Sequence, residues 1–178
     1  MLTMFPLSEA YCRWNKSKRS SSVIFLFSFL FFSFCENINS QNVESLIAEG
    51  DKYTSEFNNQ KALEKYLEAD KLSPKNWEIC WRISRAYVDI AEHMPNSNEE
   101  EKQAQLKTYE LSLKYAEKAI QLAPDQSINY VRRAITNGRI ALFKGVFSAV
   151  GLVKKVKDDL DKAIQLGNGG DVVQSLAH

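Results

Sequence analysis

The five residues KAIQL occur twice in the chain, at positions 118–122 and 162–166, and this repetition limits the possible folds more than any other feature. Each copy ends a stretch in which apolar and small residues recur at helical spacing. A sequence that recurs at the same place in a helical pattern is typical of stacked copies of one supersecondary unit. KAIQL is therefore interpreted as the end of the second helix of a repeat, with Ala and Ile facing the neighbouring helix and Lys and Gln facing water.

The clearest repeat lies between Val43 and Lys75, where Asn58 and Asn59 separate two helical patterns. Its spacing is similar to the tetratricopeptide consensus, which asks for a large residue, then Leu-Gly, Tyr, Ala, an aromatic residue and a final Pro. Seven residues meet that spacing: Leu46, Gly50, Tyr53, Ala62, Tyr66, Ala69 and Pro74. Glu49 departs from it, since Leu is expected there. The small residues would let two antiparallel helices approach closely, and Pro74 would stop the second helix.

A second and a third unit follow the first. The second unit begins in NWEICWRISRAY and ends in LSLKYAEKAIQLAP, and its two halves lie about 16 residues further apart than those of the first. We expect this insertion to lengthen both helices and to add an exposed loop around Met94–Gln103, including the acidic run Glu99–Glu101. The third unit runs through INYVRRAITNGRIALF and returns in VKKVKDDLDKAIQL.

The stretched repeats, the segment CWRISRAY and the segment NGRIALFKG together resemble the regulator of microtubule dynamics family, and more closely its signal-bearing bacterial relatives. The resemblance covers about Val43 to Ala177. It implies an all-α, tetratricopeptide-like domain at residues 41–178, in which about three antiparallel helical hairpins stack as a right-handed solenoid. Microtubule association belongs to the eukaryotic members. Asp171 could begin a further helix, so the domain is expected to be truncated at its C-terminus.

Residues 1–40 have the pattern of a secretory signal and a short leader. A basic segment, residues 13–19, precedes the apolar run Val23–Phe32. A helix of this run extended to Phe34 would be about 18 Å long, well short of the roughly 30 Å hydrocarbon core of a bilayer. The sequence therefore predicts export to the periplasm or the medium, with cleavage after Cys35 or after Ser40. The alternatives are an anchor formed by an uncleaved leader or by lipidated Cys35.

Charge and cysteine usage restrict the partners. Residues 1–35 carry four basic residues and one acidic residue, so a chain with formal net charge +1 leaves a mature part with a charge of −2. This balance argues against a nucleic-acid partner, because nonspecific binding to nucleic acid depends on a basic surface. Removal of the leader also leaves Cys80 as the single cysteine, and it lies at a helix-packing position.

No pattern in the sequence indicates catalysis, a metal or a cofactor. His93 is the only histidine before the final residue, and no ligand cluster at metal-binding spacing surrounds it. The carboxylates of Glu99–Glu101 and of Asp158, Asp159 and Asp161 lie in a loop and on a solvated helix face, where nothing sets one apart as an acid and another as a base. The sequence thus predicts a protein that is not an enzyme.

Polar and aromatic residues on the first helices of the hairpins are the candidate binding residues, because those helices line the groove of a tetratricopeptide stack. Trp81, Arg85 and Asp89 share one helix face in the second unit, and Arg132 and Arg139 share one in the third. An aromatic residue with arginines suits a protein or peptide partner, or one that carries a carboxylate. The alternative is that Arg85 and Arg139 bond to carboxylates or carbonyls of neighbouring helices and only brace the stack.

Two further predictions concern the role of the domain. The apolar stretch Ile140–Val153 is too short and too broken to span a bilayer, so it is expected to form a buried hairpin rather than a membrane-surface segment. Membrane contact is expected only through the leader or as weak surface association. The sequence favours an exported peptide-binding scaffold. The alternative is a structural module of an envelope complex, with the groove filled by another subunit or by Phe143, Phe147 or the C-terminal segment.

Overall fold

The computed structural model describes residues 40–143 and 146–167, and these ranges contain six α-helices and no strand. We number the helices in chain order: α1 spans residues 40–55, α2 Asn59–Leu72, α3 Trp77–Glu92, α4 Glu99–Leu122, α5 Ser127–Ala141 and α6 Val146–Gly167. Successive helices pair into three hairpins, which confirms the predicted all-α stack of helical hairpins. The predictions for the leader and for the helix at Asp171 concern residues outside the described ranges.

Asparagine caps begin three of the helices. The side-chain oxygens of Asn58, Asn76 and Asn98 accept hydrogen bonds from backbone N–H groups in the first turns of α2, α3 and α4, at 3.2, 2.9 and 2.9 Å. The carboxylate of Glu101 in turn accepts from the backbone N–H of Ser97 at 2.7 Å. The expectation that Glu99–Glu101 lie in a loop is therefore wrong. They form the first turn of α4, where negative charge is favourable beside the helix N-terminus.

Close packing of α1 on α2 explains the small residues of the first repeat. Ala62 and Ala69 have no exposed surface. A Cβ atom at Gly50 would lie 2.3 Å from Cε1 of Tyr66, so this glycine makes room for the tyrosine ring. The ring fills the space between the two helices, and its hydroxyl lies 3.0 Å from Oγ1 of Thr54. The repeat register predicted for this hairpin is the one observed.

The insertion in the second hairpin lengthens both of its helices, as predicted. Measured from the equivalent packing positions Gly50 and Ser84, α3 extends three residues further than α1, and the loop is three residues longer. The remaining ten residues lengthen the second helix, since α4 has 24 residues and α2 has 14. The amide of Gln105, on the extra turns of α4, donates to the carbonyl of Ala91 at 2.7 Å and ties the extension to the end of α3.

Buried hydroxyl groups join the second hairpin to the third. Oγ of Ser112 on α4 donates to the carbonyl oxygen of Ser84 on α3 at 2.9 Å and lies 2.8 Å from Oγ1 of Thr136 on α5. Thr136 also bonds to the carbonyl of Arg132 one turn earlier. Each of these hydroxyls has a partner, so three helices approach closely at this point without leaving any of the three hydroxyl groups unsatisfied.

The third hairpin leaves part of its apolar surface uncovered. Ile164, in the second KAIQL, is 54% exposed, whereas Ile120 in the first copy is partly covered. The prediction that this isoleucine faces a neighbouring helix is therefore wrong for the second copy, because α6 is the last helix described and no described hairpin follows it. Leu142, Val150 and Val153 are also exposed, so the stretch Ile140–Val153 is not the fully buried hairpin expected. Among the described helices, none is long and apolar enough to cross a bilayer.

Candidate functional site

The first helices of the three hairpins, α1, α3 and α5, form one continuous polar surface, which we call the first-helix surface. Three contacts connect these helices directly. Asp51 on α1 bonds to Arg82 on α3 at 2.9 Å, the guanidinium of Arg132 on α5 lies over the ring of Trp81 on α3, and Glu92 on α3 pairs with Arg139 on α5. Contacts of this kind are expected where the first helices of neighbouring hairpins lie side by side.

Trp81 lies at the middle of the first-helix surface and is partly exposed. The guanidinium carbons of Arg82 and Arg132 lie 4.4 Å and 5.7 Å from the centroid of its ring. Both distances are within the range in which a cation is attracted to the negative face of an aromatic ring. The indole is thereby held in place by charged neighbours while part of it stays accessible to a ligand.

Arg82 was not among the predicted site residues, and it is paired with two carboxylates. Its Nε donates to both carboxylate oxygens of Asp51, at 2.9 and 3.3 Å, and Nη1 lies 3.5 Å from the carboxylate of Glu78. Asp51 also accepts a hydrogen bond of 2.6 Å from the hydroxyl of Tyr66. Glu78 and Arg82 are four residues apart on one helix, so the ion pair between them could have been predicted from the sequence. The contact with Asp51 depends on the stacking of the hairpins.

Arg132 differs from Arg82 because it forms no ion pair of its own with a carboxylate among the described residues and is attracted only weakly to Asp89. It is only 8% exposed, and its Nε is buried without a hydrogen-bond partner among the described residues. Burial, and secondly the positive charge of Arg85, lower the pKa of Arg132 to about 10, and the attraction of Asp89 offsets a smaller part of this effect. A guanidinium taken out of water without a paired carboxylate is unfavourable for folding.

Arg85 and Asp89 lie next to Arg132 on the same surface. Nε of Arg85 is 3.5 Å from a carboxylate oxygen of Asp89, one turn along α3, and the two side chains are 27% and 30% exposed. Burial raises the pKa of Asp89, and the nearby arginines Arg85 and Arg132 oppose that rise. The contact is a long ion pair within one helix, so Arg85 keeps donors available for another group.

Arg139 lies two turns beyond Arg132 on α5, and it forms an ion pair of 2.5 Å with Glu92. Its side chain is 45% exposed. The structure thus brings four of the five predicted residues together around one point, namely Trp81, Arg85, Asp89 and Arg132. Arg139 forms a separate interhelical pair.

The residues set aside on sequence grounds lie where packing places them. Cys80 is fully buried, and burial raises the pKa of its thiol to about 11. His93 caps the end of α3, with Nδ1 2.7 Å from the carbonyl oxygen of Asp89. No group of three or more metal-ligating side chains is found in residues 40–143 and 146–167.

Solved structures with the same architecture are tetratricopeptide domains. The second such domain of Spaghetti (RPAP3), bound to the HSP90 peptide SRMEEVD, superposes with a TM-score of 0.53 at 20% identity, over 72% of this chain and 94% of that one. The TPR2B domain of yeast Sti1, in complex with pHsp70, gives a TM-score of 0.52 at 18% identity, over 76% of this chain and 90% of that one. These similarities establish the fold as tetratricopeptide-like.

Sequence comparison gives the family. Regulator of microtubule dynamics protein 2 of Bos taurus is 27% identical over 134 residues, and protein 1 of Mus musculus is 30% identical over 124 residues. The alignments cover 74% and 70% of this chain but 31% and 39% of those proteins, so the chain spans about a third of the length of these relatives. The model of the family "Regulator of microtubule dynamics protein 1-3" matches residues 46–173, which include every helix from α2 to α6. The chain therefore belongs to the regulator of microtubule dynamics protein 1-3 family.

Proposed function

We propose that this chain is a non-enzymatic scaffold that binds a protein or peptide on its first-helix surface. The observation that carries the proposal is Trp81, which is partly exposed at the centre of that surface with two guanidinium groups over its ring. Tryptophan and arginine are the side chains that most often supply the binding energy of protein interfaces. Here Arg82 and Arg132 also fix the orientation of the indole, so little of its conformational freedom remains to be lost on binding.

The structural neighbours support this proposal by their architecture. The Spaghetti domain holds an HSP90 peptide, and the Sti1 domain is in complex with pHsp70. At 18–20% identity these neighbours do not indicate which partner this chain binds. They show that a stack of helical hairpins of this kind can present a peptide-binding surface.

Substitution of Trp81 by alanine tests the proposal, with Tyr130→Ala as a matched control. Tyr130 is also a partly exposed aromatic residue with an arginine over its ring, since the guanidinium carbon of Arg133 lies 5.8 Å from its centroid. Arg133, however, bonds to Asp159 on α6, so this pair lies on the side of α5 that faces α6, the other helix of its own hairpin. Tagged full-length variants would be used to recover partners from the native host, and their thermal midpoints would be measured in parallel.

A binding surface predicts proteins that are captured by the wild type and by Tyr130→Ala but not by Trp81→Ala. Loss of an anchor residue should weaken binding by about 2 kcal/mol or more while leaving the thermal midpoint almost unchanged. A large fall in the midpoint of Trp81→Ala, with the same proteins captured, would show that Trp81 braces the stack, and the proposal would then be wrong.

Ion pairs between the first helices favour a second candidate function, a structural module of a larger complex. Asp51 with Arg82 and Glu92 with Arg139 brace neighbouring hairpins, and Val150, Val153 and Ile164 leave apolar surface on α6. Phe143, which could have filled the groove, instead packs against Tyr109 on α4, with ring centroids 5.9 Å apart. This candidate predicts a stable complex that persists when Trp81 is replaced but is lost when Val150 and Val153 are made charged.

A role in microtubule dynamics is a third candidate function. It rests on membership of the family and on the names of the mammalian relatives. Cosedimentation of the full chain with polymerised tubulin tests it directly. Capture of tubulin that depends on Trp81 would identify the partner of the first-helix surface. Absence of the chain from the pellet would remove this candidate.

For localisation we propose export, because residues 13–19 are basic and the following apolar run is too short to span a bilayer. Mass spectrometry of the protein from its native host should find an N-terminus near Glu36 or Gln41. An intact leader in a soluble cytosolic fraction would contradict export, and a lipid on Cys35 would favour the anchored alternative.

A further inference from the structure

The surroundings of Arg132 differ from those of Arg139, although the two residues occupy the same stripe of α5. Seven residues separate Arg132 from Arg139, and seven separate Arg85 from Glu92, so each pair shares one face of its helix. At one end of these stripes Arg139 meets the carboxylate of Glu92. At the other end Arg132 meets the positive charge of Arg85. No carboxylate therefore pairs with Arg132 in the way that Glu92 pairs with Arg139 among the described residues.

The charges around Trp81 define how much negative charge is needed. Arg139 is paired with one carboxylate, that of Glu92, and Arg82 with two, those of Asp51 and Glu78. Arg85 and Arg132, in contrast, share the single carboxylate of Asp89, so this group of three side chains carries one excess positive charge. One carboxylate supplies one negative charge, whereas a phosphate monoester carries about −1.5 to −2 at neutral pH and would overcompensate.

On this basis, and given the binding surface proposed above, we propose that Arg132 and Arg85 receive the carboxylate of an aspartate or glutamate side chain from the bound peptide. The buried Nε of Arg132 provides a hydrogen-bond donor without a partner, and Arg85 provides further donors from its partly exposed side chain. The ring of Trp81 lies against the same guanidinium and offers an apolar floor for the stem of the acidic residue. The polar surface continues on both sides of this point, to Asp51 and to Glu92, so a side chain within a longer segment fits it better than a chain terminus.

Fluorescence anisotropy with peptide pools tests the carboxylate separately from the surface. Four pools of fluorescein-labelled nonapeptides are randomised except at the centre. The first has glutamate there and an amidated C-terminus, the second has glutamine and a free C-terminus, the third has glutamine and an amidated C-terminus, and the fourth has phosphoserine and an amidated C-terminus. Each is titrated with the full chain, with Trp81→Ala, with Arg132→Gln, with Arg85→Gln, and with the control Lys162→Gln. Lys162 is exposed on α6, so the control makes the same change of charge away from the surface.

We expect the glutamate pool to bind about tenfold more tightly than the amidated glutamine pool, as charge-assisted hydrogen bonds are stronger than neutral ones. Arg132→Gln and Arg85→Gln should bind these two pools about equally. Lys162→Gln should keep the preference for the glutamate pool. Circular dichroism checks that each variant is folded, and Arg85→Gln decides the result if Arg132→Gln is not.

Different results overturn different parts of the reasoning. Equal binding of all four pools, still dependent on Trp81, would leave the binding surface in place and overturn the carboxylate site. A preference confined to the free C-terminus would overturn the assignment to a side chain, and tighter binding of phosphoserine would overturn the single-charge argument. Binding of no pool, together with loss of the Trp81-dependent capture described above, would overturn the proposed function as well.

Discussion

Replacement of Arg132 by methionine should stabilise the fold, although it removes a residue from the centre of the stack. Arginine and methionine have long unbranched stems, so methionine can keep the packing against Trp81 without the charge. If Arg132 has no anionic partner in the free protein, the variant loses an unfavourable buried charge. If Arg132 braces the stack instead, the same change removes a favourable interaction, and the sign of the effect is reversed.

The size of the effect follows from the surroundings of the guanidinium. Burial and Arg85 lower the pKa of Arg132 to about 10. This is roughly 2.5 below the ordinary value of a guanidinium, and a pKa difference of one corresponds to about 1.4 kcal/mol, so the charged form is destabilised by about 3 kcal/mol. The contact with Trp81, at 5.7 Å, returns about 1 kcal/mol. The pKa of about 10 already includes the weaker attraction to Asp89, so we expect a net stabilisation of about 2 kcal/mol.

Urea unfolding of the full chain, followed by circular dichroism, measures this difference, and Arg82→Met is the matched control. Arg82 also lies over Trp81, at 4.4 Å, but it is paired with Asp51 and Glu78. Its loss leaves Asp51 with only the hydroxyl of Tyr66, so the free energy of unfolding should fall by about 1 to 3 kcal/mol. The two midpoints should thus move in opposite directions, each by roughly 0.5 to 1 M urea.

Destabilisation of both variants by similar amounts would refute the reasoning, because it would mean that Arg132 makes a favourable interaction in the free chain. Removal of one partner from a buried ion pair typically costs about 3 to 5 kcal/mol. A loss of that size in Arg132→Met would identify it as a brace and would also remove the basis for a carboxylate site.

Three further substitutions test the packing of the first hairpin. Ala62→Leu should lower the free energy of unfolding by about 1 to 3 kcal/mol, because Ala62 has no exposed surface. Lys61→Leu, at the exposed neighbouring position, should not lower it. Equal effects of the two substitutions in thermal unfolding would contradict the repeat register. Gly50→Ala should also lower the thermal midpoint, despite the better helix propensity of alanine, because its Cβ would lie 2.3 Å from the ring of Tyr66; an unchanged or higher midpoint would show that the ring can move. Phe57→Gly should raise the free energy of unfolding by about 0.5 to 1 kcal/mol, because Phe57 has a φ of 59° and its side chain is 89% exposed. Phe57→Ala keeps the backbone strain and should give no such gain.

The sequence allowed the helical stack to be predicted because repeat packing is encoded locally. Gly50, Ala62 and Ala69 are small for reasons that act within one hairpin, and Pro74 follows the end of α2. Local patterns were less informative where the next hairpin decides exposure. The two copies of KAIQL are identical, yet Ile120 is partly covered and Ile164 is exposed, because only the first copy is followed by another described hairpin.

The candidate site could be predicted only in part, for a similar reason. Helical spacing placed Trp81, Arg85 and Asp89 on one face of α3, and they do lie together. The partners of the arginines come from other helices, and no spacing within one helix reveals them. Arg82 pairs with Asp51, 31 residues earlier, and Arg139 pairs with Glu92, whereas the identically charged Arg132 faces Arg85. The distinction between a paired and an unpaired arginine therefore appears only when the hairpins are stacked.

Stability and binding are coupled at Arg132, because the charge that weakens the free fold is the charge that an acidic ligand would neutralise. A ligand that binds only the folded chain stabilises it, by about 2.7 kcal/mol at a concentration 100 times its Kd. Part of that gain in the wild type would come from relief of the unpaired guanidinium. In Arg132→Met no such charge remains to be relieved, so an acidic peptide should stabilise this variant less than the wild type, even though the variant is the more stable protein alone. A fold that is stabilised by losing one arginine, and that then responds less to an acidic partner, is the behaviour expected of a residue that serves binding rather than packing.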